Sequence, residues 1–228
     1  MAHPNDLHPV QEPFHLRDCA LVAQSTGFKA QTLAEFHDAL LRVDAASIYH
    51  HFWGRFLESR FDEPEYNNDF ASWTYRALHE KVLAEKLSMI TPTAYATIEE
   101  IREDVVDTVA EHLDRQDYMP WARADQRFYF LKSQIVVFDT RHYLHHPSEL
   151  LPVLHDMSLG SVFYHFIDAR RRTSLCCDDF SAWLQGWGDE FSLLRSQLLA
   201  IDPFFSSLKE LRWRVEQLLK TTLGGSAS

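Results

Sequence analysis

A chain of 228 residues, 46% of them hydrophobic, can bury a substantial core, which excludes disorder over most of its length. A formal charge of −11 repels nucleic-acid backbones, and Arg170, Arg171 and Arg172 make the only dense basic cluster, so no nucleic-acid partner is expected. No run approaches the roughly 20 apolar residues that span a bilayer, the N-terminus lacks the regions of a secretion signal, and three cysteines build no disulfide framework, which together predict a cytoplasmic protein without a membrane partner.

Taken in chain order, residues 1–13 read as a tail, and Cys19-Ala20-Leu21-Val22 is ambiguous between helix and strand. Thr32-Leu33-Ala34-Glu35 is a capping box that opens a helix, and the Ser47 to Trp53 segment is helical by length and context. The stretch from Phe61 to Asn68, with Pro64, reads as a loop, after which Asp69 is expected to cap a helix carrying Trp73. Thr91-Pro92 places an oxygen-bearing cap before a proline at a first helical position, and Ile98, Ile101, Val105 and Val109 recur at helical spacing. Residues 114–125 are the natural linker. Beyond them Gln134-Ile135-Val136-Val137-Phe138 is rich in β-branched residues and predicts a short strand. Pro147-Ser148-Glu149 opens another helix, the Ser161 segment and Asp179 repeat the earlier helix and cap, and Asp202-Pro203 precedes a stripe of Phe204, Leu208, Leu211, Val215 and Leu218.

These motifs come in pairs. Ser47-Ile48-Tyr49-His50-His51-Phe52 returns as Ser161-Val162-Phe163-Tyr164-His165-Phe166, and Asp69-Phe70-Ala71-Ser72-Trp73 returns as Asp179-Phe180-Ser181-Ala182-Trp183, with drift only at loops. The predicted fold is therefore mostly α, a tandem internal duplication of a four- to five-helix unit with pseudo-twofold symmetry. The first repeat spans 14–120 and the second 121–223, with a short β pair from the entry segments as an option and 224–228 as a second tail.

The strings Thr26-Gly27, Ser47 to Trp53, Pro64-Glu65-Tyr66-Asn67-Asn68-Asp69-Phe70, Ser133 to Asp139 and Ser161 to Arg172 resemble a bacterial family filed as domain of unknown function 5752. The resemblance covers nearly the whole chain. It implies no activity and transfers no catalytic residue.

Among thirteen histidines, His51 and His165 occupy corresponding positions. If the repeats packed about a twofold axis near them, the two imidazoles would hold a transition metal or provide both axial ligands of a haem; the plain alternative is a pair of hydrogen-bonded core histidines. Asp168 and Arg172 follow His165 at i+3 and i+7, and Arg55 follows His51, patterns that suit either an acid–base site with an anion clamp or a salt-bridged helix face. Tyr66 with Trp53 and Trp73 offers pocket walls or core. Cys19 reads as a small apolar residue rather than a nucleophile, and the spaced cluster His142, His145 and His146 as a solvated loop. Common nucleotide-binding, hydrolase and zinc-protease motifs do not occur.

The leading functional expectation is a non-catalytic protein that binds a small ligand or a protein partner, a second copy included, in the groove between its repeats. The alternatives are a metal- or haem-binding protein using His51 and His165, and an enzyme acting on a small anion through His165, Asp168 and Arg172.

Overall fold

The computed structural model describes residues 12–57, 65–115, 122–173, 175–204 and 207–223. The two expected tails, the 61–68 loop and the 114–125 linker lie wholly or partly outside them. Strands β1 (Phe14–Thr32) and β2 (Arg123–Leu144) pair antiparallel as a two-stranded sheet. Of the described residues 59% are helical and 21% are in strands, an α+β fold.

This overturns the mostly α tandem duplication expected from the sequence. The entry segments are long strands, not short ones. Strand chemistry was visible only where β-branched residues cluster, because the middle of the ribbon is exposed on both faces and so lacks the alternating apolar signature of a half-buried strand. The chain forms two compact units, one continuous (Leu21–Val136) and one split (Met1–Ala20 with Val137–Ser228).

In the continuous unit, α1 (Leu33–Leu40) starts at the predicted capping box, with the Thr32 side chain accepting from the Glu35 N–H. Its Phe36 is fully buried, with ring contacts to Phe70, Trp73, Phe128 and Phe130, so helix and strand share one aromatic core. Burying a side chain of that size contributes about 1.5–3 kcal/mol. Helix α2 (Ala45–Trp53) runs into a 3-10 turn, Gly54–Leu57, and is followed by α3 (Asp69–Arg76) and α4 (Lys81–Ser88). Thr91-Pro92 opens only a 3-10 turn, Pro92–Ala94; the long helix α5 (Ile98–Leu113) starts at a second capping box, Thr97 with Glu100. Ile101, Val105 and Val109 form its buried stripe as predicted.

In the split unit a 3-10 turn, Pro147–Glu149, leads into α6 (Leu150–Asp156). Then come α7 (Leu159–Val162), a π-helical turn (Phe163–Asp168) and α8 (Ala169–Arg172), one after another along the chain. Helix α9 (Asp179–Gln185), the turn Gly188–Phe191, α10 (Ser192–Leu199) and α11 (Leu208–Leu223) complete it. Asp202-Pro203 lies ahead of α11 rather than starting it, and Leu219, not Leu218, is the buried residue of its last turn. Gly160 is required by packing: a Cβ there would stand 2.2 Å from the Cys19 carbonyl and the Asp18 carboxylate, so only glycine lets β1 lie against α7.

Candidate functional site

Both histidines singled out in the sequence are buried, and each is locked by the same pair of contacts. In the continuous unit His51 is 3% exposed; its Nε2 accepts from the Leu131 N–H of β2 at 3.1 Å, and its Nδ1 meets an Asp69 carboxylate oxygen at 3.1 Å. In the split unit His165 is 2% exposed; its Nε2 accepts from the Arg17 N–H of β1 at 2.9 Å, and its Nδ1 meets Asp179 at 2.8 Å. A ring nitrogen that accepts from a backbone N–H carries no proton, so in the neutral imidazole the proton sits on Nδ1 and is donated to the carboxylate. Each histidine therefore pins a strand to a helix, and neither has a lone pair left for an iron or a transition metal unless a strand contact breaks.

The carboxylates are available because each helix is capped by the preceding residue. Asn68 accepts from the Ala71 N–H and Asp178 from the Ser181 N–H, placing Asp69 and Asp179 in the first turn instead of at the predicted cap. His50, His51 and Asp69 offer possible ligand atoms within 4.8 Å of one another. His50 Nδ1 is paired with the Ser133 hydroxyl at 2.7 Å and His51 is used on both sides, so this group is a hydrogen-bonded polar cluster within the core.

The remaining sequence candidates fall into local networks. Arg55 donates to the Tyr66 carbonyl, and Tyr66 is buried, its phenol pushed upward by burial with help from Glu65 and Glu85. Asp168, 1% exposed, does not serve His165; it accepts from Arg171 and, at 2.8 Å, from Arg172. Arg172 also donates to Asp179 at 2.9 Å and to the Tyr164 carbonyl at 2.9 Å, and its guanidinium lies 3.9 Å from the centroid of the Tyr164 ring. Burial would lower its pKa, but the bonds to Asp179 and Asp168 outweigh that and raise it, so the arginine stays charged and committed. The i, i+3, i+7 pattern anticipated a helix face; the π-helical turn that carries His165 and Asp168 instead sends the histidine to Asp179 and the aspartate to the arginines. A polar cleft of about 520 Å³ beside this network is lined by Arg17, Tyr164, Arg172, Asp179 and Trp183, among others.

The Cys19 thiol is buried and hydrogen-bonded. It donates to the Gly160 carbonyl at 3.3 Å, and its pKa is pushed up to about 12 by burial first, then by Asp168 and Asp18, against a smaller opposing effect of Arg172.

Sequence reasoning missed a larger cavity of about 610 Å³ in the split unit. Leu16 and Asp18 reach it from one face of β1, and Thr140, His142 and Leu144 from one face of β2, each set following the two-residue period of a strand. Pro152, Val153 and Asp156 come from α6, and Met157, Ser158 and Ser161 from the approach to and first turns of α7. The period-two pattern of these strand residues was the available signal, but it means nothing without knowing that two segments over a hundred residues apart are paired.

These features define an α+β protein in which His51 and His165 each tie a strand to a helix and a cavity of the split unit has apolar walls and an acidic rim. The chain belongs to the family of unknown function DUF5752, whose model matches residues 11–220. Among solved structures it is similar to OrfY from Thermoproteus tenax, with 25% sequence identity, a TM-score of 0.80, and coverage of 93% of this chain and 96% of that one. No curated protein matches it. Among the described residues no helix is long and apolar enough to cross a membrane.

Proposed function

We propose that this is a non-catalytic binding protein and that the split unit's cavity takes a small, largely apolar ligand. The observation that carries this reading is the cavity itself: about 610 Å³, with walls formed by Leu16, Leu144, Pro152, Val153 and Met157. That volume lies in the ordinary range for ligand pockets, and a mostly apolar wall with a few polar groups is what such pockets present. The chemistry-bearing side chains argue in the same direction, since His51 and His165 are saturated by hydrogen bonds and Arg172 by carboxylates. The free cysteines, two of them buried, suit a reducing cytoplasmic setting.

Native mass spectrometry of protein purified without detergent tests the reading. A retained small-molecule adduct that disappears in Val153→Trp, with melting temperature held within a few degrees, is the expected result. An adduct that survives Val153→Trp would place the ligand elsewhere, and a stable hetero-complex lost in the same variant would mean that the cavity serves a protein partner instead.

A further inference from the structure

The cavity also carries a charge pattern. Asp18, Glu149 and Asp156 line it, no lysine or arginine does, and His142 is the remaining ionisable group of its wall. Asp18 Oδ1 accepts from the Cys19 N–H at 2.7 Å and Glu149 accepts weakly from the His145 N–H at 3.4 Å; none of the three carboxylates forms an ion pair among the described residues. Elsewhere in the same unit several carboxylates are ion-paired, Asp168 with two arginines, Asp179 with Arg172 and Glu216 with Lys220, while the fully buried Asp178 caps α9 instead. Three like charges left uncompensated around an apolar wall repel one another, and that repulsion is relieved by a positively charged occupant. The negative field is felt nearby, where Asp18 helps to push the Cys19 thiol upward.

Building on the binding reading above, we infer that the ligand is an amphipathic organic cation, with its aliphatic body against Leu16, Leu144, Val153 and Met157 and its ammonium head between Asp18 and Asp156. The apolar wall binds any body of suitable size, whereas the carboxylates discriminate by charge, so body and head can be tested separately.

Isothermal titration of the full chain at low salt with n-octylammonium, 1-octanol and octanoate, three probes that share one tail, makes that separation. Octylammonium is expected to bind about tenfold more tightly than octanol, the ratio set by one charge-assisted contact, and octanoate more weakly than either. Asp18→Asn combined with Asp156→Asn should remove the preference and leave octanol binding unchanged. Asp156→Lys, at an exposed position that tolerates a charge, should turn the preference toward octanoate. Equal binding of octylammonium and octanol, or tighter binding of octanoate to the unaltered protein, overturns the cation assignment while the apolar cavity stands. Binding of none of the three, or binding unaffected by Val153→Trp, overturns the binding reading itself. A homodimer that Val153→Trp dissociates would give the groove to a second copy and also overturn the assignment.

Discussion

The surroundings of His51 and His165 agree in one layer and diverge in the next. Each ring accepts a backbone N–H at Nε2 and faces an aspartate at Nδ1. Around His51 the helix is regular, and the neighbouring residue is His50, paired with Ser133. Around His165 the backbone opens into a π turn, the neighbour is Tyr164, and Arg172 ties Tyr164, Asp168 and Asp179 together. The layer that recurs is the one a strand needs in order to stay on its helix. The layer that differs, together with the acidic cavity of the same unit, is where a function specific to one unit has room to sit.

The sharpest way to break this comparison is to remove the rings. His51→Leu and His165→Leu each remove a buried ring that links a strand N–H to a carboxylate, so each should destabilise the protein by about 3 kcal/mol, measured by urea unfolding. If either histidine were a ligand to iron or another metal instead, its loss would change metal content or visible absorption while the unfolding midpoint of metal-free protein barely moved.

A smaller effect is expected at the aspartates. Asp179 holds both His165 and Arg172, so Asp179→Asn should cost about 2–3 kcal/mol, with the buried Asp168–Arg172 pair weakened as well. Asp69→Asn, at the carboxylate that meets the His51 ring at 3.1 Å, should cost about 1 kcal/mol or more. A loss below about 1 kcal/mol in Asp179→Asn would mean that Arg172 contributes nothing beyond the histidine contact.

Much of the local structure was legible before any coordinates. The Thr32 capping box and the α5 stripe rest on short-range chemistry, in which groups three or four residues apart share a cap or a helix face. What stayed hidden depends on partners distant in sequence. The Nε2 of His51 is satisfied by Leu131 and that of His165 by Arg17, and no spacing rule announces a backbone donor. The strand lengths were hidden for the same reason, since a ribbon exposed on both faces owes its pairing to its partner strand and not to an apolar face of its own. The cap positions were off by one residue, and that shift is what turns Asp69 and Asp179 from helix caps into histidine partners.

Asp178 offers the finest test, because it caps α9 one residue before the carboxylate that serves His165. It is fully buried; one oxygen accepts from the Ser181 N–H at 2.8 Å, and the other has no hydrogen-bond partner among the described residues. Burial raises its pKa, against the opposing effects of its bonds to Ser181 and the charge of Arg170. A carboxylate whose folded pKa lies above its unfolded one binds protons more tightly in the native state. Its contribution to stability is thus fully present below the unfolded value and is lost as pH rises through the folded value. At neutral pH it therefore carries a penalty that a neutral cap avoids. Asp178→Asn preserves the capping oxygen and should stabilise the protein by about 1 kcal/mol at pH 7. The gain should shrink as pH falls through the raised value, and be smallest at the acid end of a series from pH 7 to pH 4, because more of the native side chain is protonated there. Urea melts across that range read the difference directly. A gain that persists undiminished at pH 4 would assign the effect to something other than charge, and a loss at pH 7 would show that Arg170 compensates the buried carboxylate, leaving Asp178 as firmly held as its neighbour Asp179.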